Sequence, residues 1–522
     1  MPMPNTHDQI RRGRWGRKAA LVAALAAALV VMPGAALAQP ERTSEFTPGS
    51  PGIGDPYFPL DGNGGYDVRH YDLKLAYDRD TDFLTGKATI TARATQNLSS
   101  FNLDFLGLDI RSVEVDGRAA RWSRDGDELT ITPRKGIRDH TRFTTVVRYD
   151  GVPETIFEFG GPAGFFHTDD GALVIGQPHV ADTWFPVNDH PIDKASYTFQ
   201  ITVPKGVEAI SNGVLRSERT RRGLTTWTWS AKEPMASYLA MMAIGEFDVR
   251  AYRAGGLRFW DAIDPDLFEG EPPSLGEVAE GSFARQPEII DFLEGVFSRY
   301  PFSAAGGIVD DLEDLFFALE NQTRPIYDMG SFGDPIDGDS VVVHEIAHQW
   351  VGNSLAIEGW QHIWLNEGFA TYAEWLWSER EGLGTVQEKF DDIASLPADD
   401  PFWSLTIGDP GPDAIFDAPI YDRGAMTLHA LRQEVGDDAF FRILRRWTIS
   451  QAGGNVTTDE FIALAERISR QSLDKLFDVW LFTAEKPGVL AAAAARAEGS
   501  AAALTKPPAA VGNLTDRLAA NR

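Results

Sequence analysis

Two histidines four residues apart, His344 and His348, stand in the stretch VVVHEIAHQWVGN at residues 341–353. An α-helix turns once every 3.6 residues, so these two side chains share one face and both imidazoles can bind a single metal ion. Glu367, nineteen positions after His348, offers a carboxylate as a third ligand. Two nitrogens, one oxygen and one open position make the ligand set of a catalytic zinc site. The spacing therefore predicts one zinc ion per chain.

Glu345 lies beside the first histidine and points off the metal-binding face of the same helix. A carboxylate at that position is the natural general base, because it can take a proton from a water activated by the metal and pass it to a leaving amine.

The alternative interpretation of the motif is an exposed helix whose histidines are spaced in this way by chance. Apolar residues 341–343 before the pair, and a second apolar stretch at 364–372 that carries Glu367, favour buried helices instead. Buried histidines and glutamates need partners.

Four further stretches accompany the metal motif. They are NEGFATY at 366–372, ALENQT at 318–323, YDRGA at 421–425, and WFPVNDHP at 184–191 followed by DKA at 193–195. In content and order they resemble the aminopeptidase N family of zinc metallopeptidases, over residues 60 to 487. That family also includes a leukotriene-hydrolysing epoxide hydrolase. The resemblance implies an N-terminal saddle-like all-β domain followed by a thermolysin-like catalytic domain.

The resemblance also implies roles for residues that spacing alone does not single out. Tyr421 is expected to donate a hydrogen bond to the oxyanion, since a pKa near 10 keeps tyrosine protonated at neutral pH. Glu320 is expected to bind the free α-ammonium group of a substrate. Gln177 and Asn321 are expected to help bind the amino end.

Two departures from the family pattern and one further acid complete the predicted site. The family motif GxMEN is here Phe317-Ala318-Leu319-Glu320-Asn321. Leucine replaces methionine with little change of volume, whereas a bulky ring replaces glycine and is expected to reshape the first side-chain pocket. Glu374 follows Glu367 by seven residues, two helical turns, and is predicted to orient a metal-bound histidine from outside the ligand set.

Composition limits the remaining possibilities. A chain of 522 residues with 43% hydrophobic and 24% charged residues is expected to fold into two or three domains. The absence of cysteine excludes disulfides and thiolate metal ligands. A net charge of −28 repels nucleic acid and anionic lipid, so neither is expected as a partner.

Residues 1–38 have the layout of a signal peptide for export. A basic cluster at 11–18 precedes an apolar run at 19–32, and Ala36-Leu37-Ala38 offers a cleavage site before Gln39. The run is shorter than the ~20 residues that span a bilayer, although an uncleaved membrane anchor is the alternative. The protein is therefore expected to be secreted or periplasmic, without stable membrane insertion after cleavage.

The rest of the chain divides by pattern into four predicted segments. Residues 39–60, rich in Pro, Gly and Ser, predict a flexible linker. Residues 61–248 predict an all-β domain, because stretches such as 66–75 and 87–93 alternate polar and apolar side chains, and 238–245 is a nearly continuous apolar strand. Residues 249–486 predict an α+β catalytic domain, with helices from residue 289 and at 424–435, 459–468 and 473–482. Residues 487–522 predict a disordered Ala-rich tail, which leaves no room for the large C-terminal helical domain of many family members.

The predicted function is that of a secreted zinc aminopeptidase, which hydrolyses the N-terminal bond of peptides with a free N-terminus. A thermolysin-type endopeptidase shares HExxH, but the Glu320-Asn321 motif and the short spacing to Glu367 argue against it. An epoxide hydrolase could use the same zinc site, yet nothing in the sequence indicates a lipid pocket. A catalytically inactive binding protein is disfavoured because every catalytic position is filled.

Overall fold

A computed structural model describes residues 45–488 of the chain. The predicted signal peptide, the first residues of the predicted linker and the predicted tail from residue 489 lie outside the described residues. Within the described range, no helix combines the length and the apolar character needed to cross a membrane.

The first half of the described chain is built from strands, as the alternating pattern predicts. The strands before residue 264 are β1 (Thr47–Pro48), β2 (Tyr66–Asp78), β3 (Phe83–Ala94), β4 (Leu98–Asp104), β5 (Asp109–Val115), β6 (Arg118–Ala119), β7 (Arg121–Asp125), β8 (Glu128–Thr132), β9 (Arg142–Gly151), β10 (Thr155–Glu158), β11 (Gly161–His167), β12 (Ala172–Ile175), β13 (Ala195–Pro204), β14 (Glu208–Ser211), β15 (Val214–Arg221), β16 (Leu224–Met235), β17 (Met242–Gly245), β18 (Asp248–Ala254) and β19 (Leu257–Ile263).

Three sheets make up this β-rich domain. The largest has eight strands in the order β15-β16-β13-β2-β3-β9-β5-β6, and the others are ordered β1-β4-β8-β7 and β10-β11-β12-β17-β14. In β2 the side chains of Tyr71, Leu73 and Leu75 are buried, and the residues between them are more exposed. This period of two lets one face of the large sheet pack on the core while the other meets solvent.

Two predictions for this half differ from the structure. Residues 45–60 are held by contacts and are not a flexible linker. Thr47 pairs with Leu98 in a parallel bridge. The buried carboxylate of Asp55 lies at hydrogen-bond distance from His190 Nε2 and accepts from the Trp360 backbone amide. The proline and glycine residues correctly indicated turns in this segment. The contacts that hold it in place are made with residues distant in sequence, so its own sequence pattern does not reveal them. The predicted strand at 238–245 is a strand only from Met242, because residues 237–239 form a turn of 3-10 helix.

The second half is an α/β region, so the predicted fold class is confirmed. Its helices are α1 (Leu275–Ala284), α2 (Gln286–Val296), α3 (Pro335–Ala347), α4 (Trp364–Glu381), α5 (Val386–Ala394), α6 (Ala418–Val435), α7 (Asp437–Ser450), α8 (Thr458–Ser469) and α9 (Asp474–Leu481). Its short strands are β20 (Ala304–Ala305), β21 (Ile308–Val309), β22 (Ile326–Tyr327), β23 (Ala356–Ile357) and β24 (Asn455–Val456). The hairpin β18–β19 continues into this half, because β19 pairs with β20 and β21 in parallel.

The two halves are joined next to the HExxH segment by a half-buried lysine. The Lys194 ammonium donates to the carbonyl oxygens of Asn353 (2.8 Å), Ser354 (2.7 Å) and Gly454 (3.4 Å). Burial lowers the pKa of Lys194 to about 7. The stretch 184–195 that the sequence singled out thus holds the β-rich domain against the loop that follows His348.

Candidate active site

Two consecutive helices bring the three predicted metal ligands together. Pro335 begins α3 at its first turn and Asp334 caps it, and the helix reaches His344 in its last turn with His348 immediately after its end. Helix α4 presents Glu367 from its first turn. The Glu367 Oε2 atom lies 3.3 Å from Nε2 of His344 and 3.2 Å from Nε2 of His348. All three side chains are buried.

The other ring nitrogens of the two histidines face away from Glu367. Nδ1 of His344 lies 2.6 Å from Oε1 of Glu374, whose other oxygen accepts from the Ser340 hydroxyl. Nδ1 of His348 lies 3.0 Å from the carbonyl oxygen of Val351, which can only accept, so this nitrogen carries the proton. Both Nε2 atoms are therefore turned toward Glu367, as metal-bound histidines require. The position predicted for Glu374 agrees with this contact.

These residues fit a zinc ion on the chemistry of their donors. Ligand atoms of His344, His348 and Glu367 lie within 4.8 Å of one another, and two imidazoles with one carboxylate are a zinc ligand set. A second group, Glu320, Glu345 and His348, overlaps it within the same limit. We assign the metal to the first group because it contains both imidazoles. The Nδ1 atom of each imidazole is held by a hydrogen-bond partner, which leaves Nε2 for the metal.

Buried charge shifts the pKa values in this cluster. Burial raises the pKa of Glu345 to about 8; the two histidines oppose the shift, and Glu320 and Glu367 add to it. For Glu367 the burial effect is outweighed by His348 and His344, which lower its pKa to about 2. Glu367 is thus held as an anion, the form in which a carboxylate binds a metal.

Glu320 forms the second buried acid of the site. It lies beside Glu345 and His348, and its Oε1 accepts a hydrogen bond of 2.8 Å from the Tyr238 hydroxyl. Burial raises its pKa, with the Glu367 charge adding to that and His348 acting in the opposite direction. The structure therefore brings Glu320 to the metal ligands, as the resemblance implied.

The segment that carries Glu320 is fixed by the HExxH motif itself. The backbone oxygen of Glu320 accepts from the side-chain amides of Gln349 (3.1 Å) and Asn353 (2.7 Å), and Gln349 also accepts from the Thr323 amide. The side-chain amides of Gln349 and Asn353, which lie in the same motif as His344 and His348, thus fix the position of Glu320 relative to the predicted metal site. Gln349 and Asn353 belong to the motif singled out in the sequence, but the sequence indicated no role for either. Tyr238 was missed altogether, because it comes from the β-rich domain and no local pattern marks it.

Helix α6 carries Tyr421 to the site through a close helix crossing. Its ring lies 6.1 Å from the His344 ring, centroid to centroid, at an interplanar angle of 28°. The crossing with α4 needs two glycines, since a Cβ built on Gly368 would lie only 2.7 Å from the Cα of Gly424. Arg423 fixes the other side of α6: its buried guanidinium donates to five backbone oxygens, those of Trp403, Leu405, Val479, Trp480 and Thr483.

The remaining predicted binding residues are placed differently. The Asn321 side-chain amide donates to the carbonyl oxygen of Leu239 (3.2 Å), next to Tyr238, so Asn321 links the segment 317–321 to the β-rich domain. Gln177 follows β12 in a turn, and its buried Oε1 has no hydrogen-bond partner among the described residues. Among the described residues, no hydrogen bond or ion pair joins Gln177 to Glu320 or to the predicted metal ligands. Phe317 is half-buried.

Known proteins resemble the chain along most of its described length. The family model "Peptidase M1 N-terminal domain" matches residues 68–239, and "Peptidase family M1 domain" matches residues 331–480. Glutamyl aminopeptidase of Sus scrofa is 25% identical over 454 residues, which cover 79% of this chain and 46% of that protein. Aminopeptidase M1-A of Oryza sativa subsp. japonica is 25% identical over 456 residues, with 79% and 50% covered. The chain thus spans about half the length of the curated relatives it matches.

A solved structure agrees with the whole architecture. The M1 zinc metallopeptidase from Deinococcus radiodurans superposes with a TM-score of 0.73 at 28% identity, and the match covers 82% of this chain and 97% of that one. The two family models match consecutive parts of the chain, the N-terminal model before the catalytic one, and the solved structure superposes on both halves. The chain belongs to peptidase family M1.

Proposed function

We propose that the protein is a zinc aminopeptidase that removes the N-terminal residue from peptides with a free α-amino group. The observation that carries this proposal is the buried carboxylate of Glu320, within 4.8 Å of Glu345 and His348 beside the metal ligands. A buried anion at the metal site favours an ammonium group over the uncharged chain of an internal peptide segment, because only a cation compensates the buried charge. Similarity to aminopeptidases supports the same activity, and a related structure from Deinococcus radiodurans was solved with the substrate Tyr-Ser-Ala.

Each residue of the site has a distinct task in this reaction. His344, His348 and Glu367 would hold one zinc ion, which supplies a Lewis acid for activating water and polarising a carbonyl. Glu345 takes the proton of the attacking water and delivers it to the departing amine. Glu320, held by Tyr238, binds the substrate ammonium and so fixes which peptide bond is cleaved. Gln177 and Asn321 are proposed to complete the amine-binding end.

The proposed activity makes a direct prediction about substrates. Purified protein is expected to release arylamine from aminoacyl-arylamides, to lose this activity with a metal chelator, and to regain it with zinc. The matched control is the same substrate with an acetylated amine, which cannot bind Glu320 as a cation. Equal hydrolysis of both substrates would rule out the aminopeptidase proposal in favour of an endopeptidase.

Tyr421→Phe tests the proposed hydrogen bond to the oxyanion. Because that bond forms only as the carbonyl oxygen gains charge, kcat is expected to fall by about 10²- to 10³-fold with little change in KM. Phenylalanine keeps the ring that packs beside His344, so zinc content serves as the control. A change confined to KM would assign Tyr421 to substrate binding instead.

Export is proposed from the layout of residues 1–38. Expressed with its natural N-terminus, the protein is expected to accumulate outside the cytoplasm as a chain that begins at Gln39, as read by intact mass. A chain that keeps residues 1–38 and sediments with membranes would indicate an uncleaved anchor.

A further inference from the structure

One hairpin of the β-rich domain reaches the catalytic region through an aromatic ring. Strands β10 and β11 pair as far as Glu158 with Gly161, which leaves Phe159 and Gly160 as a two-residue loop. The Phe159 ring lies 4.9 Å from the Phe416 ring, centroid to centroid, at an interplanar angle of 82°. Edge-to-face pairs at this spacing are favourable. Because Phe416 belongs to the catalytic region, this contact joins the two halves of the protein.

The backbone of the loop is unusual for the residue at its first position. Phe159 has a φ of +46° and Gly160 a φ of +84°. Two positive φ values in a two-residue hairpin loop are those of a type I′ turn, which favours Asn-Gly, Asp-Gly or Gly-Gly. A bulky side chain at positive φ is strained and persists only where its surroundings hold it. The loop therefore keeps an aromatic ring where the turn itself favours another residue.

The tip of the hairpin packs through this ring. Phe159 is half-buried. A Cβ built on Gly160 would meet no atom of the described residues within 4 Å outside its own chain neighbours. Phe157, two residues earlier on the same hairpin, is 73% exposed. The strained position thus coincides with the ring contact to Phe416, while the rest of the tip lies open.

Phe416 stands directly before the helix that carries Tyr421. Helix α6 begins at Ala418 with Asp417 as its N-cap, so Tyr421 lies in its first turn. The Phe416 ring also lies 6.4 Å from the ring of Trp360, which is fully buried. The residue that leads into α6 is therefore held both by a buried indole and by the hairpin tip.

A salt bridge fixes the hairpin at the strand position next to its tip. Nε2 of His179 lies 3.5 Å from Oε1 of Glu158, and Nδ1 of His179 lies 2.8 Å from Oδ2 of Asp61. Burial lowers the pKa of His179, but the two carboxylates outweigh burial and raise it to about 11. The imidazolium therefore holds Glu158 at neutral pH. Because Gln177 lies two residues before His179, the tip is anchored beside the turn that is predicted to help bind the amino end.

We propose that Phe159 is a positioning residue for the aminopeptidase reaction proposed above, on which this inference rests. Its ring braces Phe416 and thereby holds the first turn of α6, so that Tyr421 stays beside His344. A group that stabilises charge in the transition state must be in place before the reaction, because a displacement of about 1 Å can cost about 10²-fold in rate. The β-rich domain thus influences turnover from a loop outside the metal-ligand set.

Phe159→Asn in the zinc-loaded full-length protein is the main test, because Asn-Gly is the sequence that the turn favours. Relief of the strained φ offsets the lost ring contact, so the unfolding temperature should stay within about 3 °C of the wild type. With an aminoacyl-arylamide as substrate, kcat is expected to fall about tenfold with little change in KM, and zinc content should be unchanged. A fall in kcat that merely follows a large loss of stability overturns the proposal.

Three further variants separate positioning from a general effect on the hairpin. Phe157→Asn makes the same change at the exposed position and should keep the wild-type kcat. Phe159→Tyr keeps the ring and should restore most of the rate. Phe416→Leu removes the partner ring, so the double variant Phe159→Asn/Phe416→Leu should lose no more than the larger of the two single losses. Equal kcat in Phe159→Asn and Phe157→Asn, or fully independent losses in the double variant, overturns the proposal.

Hydrogen exchange of the amides at residues 417–426 tests the same contact without using the reaction. In Phe159→Asn these amides should exchange about 2- to 10-fold faster than in the wild type, and in Phe157→Asn at the wild-type rate. Unchanged exchange in Phe159→Asn overturns the positioning role, even where the wild type is active. If the wild type hydrolyses no free-amine substrate, the aminopeptidase proposal fails, and the exchange rates still decide whether Phe159 holds α6.

Discussion

Replacing Glu345 with glutamine is expected to lower kcat by about 10²- to 10⁴-fold while one zinc ion stays bound. The side chain is 4% exposed and close to His348 and Glu320, but it belongs to no contact that holds the outer nitrogens of the histidines. Glutamine fills the same volume and cannot take a proton. The loss should therefore appear in turnover and not in metal content, measured by steady-state kinetics beside elemental analysis.

Glu374→Gln is the matched control for this prediction. Glu374 touches Nδ1 of His344 and not the substrate side, so its amide should weaken zinc affinity by about 10- to 100-fold. Added zinc should then restore the Glu374→Gln enzyme and leave Glu345→Gln inactive. If Glu345→Gln kept near wild-type turnover with zinc bound, another group would have to act as the base.

The convergence of the three predicted metal ligands could be read from the sequence because their geometry is local. Two of the three lie one helical turn apart, and the third begins the next buried helix, so periodicity and spacing are enough. The contact between Glu374 and His344 could be anticipated for the same reason. The limits of α6 were harder: the periodic pattern suggested residue 424, whereas Asp417 and a proline at the first turn begin the helix at Ala418.

Contacts between the two halves could not be predicted in this way. Tyr238 reaches Glu320 from a short helical turn in a segment that reads as an apolar strand. Asp55 was assigned to a flexible linker, although its carboxylate accepts from the Trp360 amide more than three hundred residues away. Contacts of this kind join residues that are distant in sequence, and neither partner belongs to a periodic pattern or motif that would indicate the contact.

Glu320→Gln is expected to abolish most of the preference for a free amino group. Glutamine keeps an oxygen that can accept from Tyr238 but removes the charge that a substrate ammonium needs when it leaves water. Losing one partner of a buried charge pair costs about 2 to 5 kcal/mol, which corresponds to a rise of about 30-fold or more in KM for free-amine substrates. Initial rates over a range of aminoacyl-arylamide concentrations measure this change.

The decisive comparison is between Glu320→Gln and Tyr238→Phe. If Glu320 acts through its charge, Tyr238→Phe should raise KM far less, because the carboxylate remains and loses only one neutral hydrogen bond of about 1 kcal/mol. The ratio of rates on free and N-acetylated substrate should fall sharply in Glu320→Gln and little in Tyr238→Phe. Equal effects of the two variants would mean that Glu320 serves to hold the β-rich domain in place. In that case the position of the scissile bond must be set by other groups, with the buried Oε1 of Gln177 the next to test.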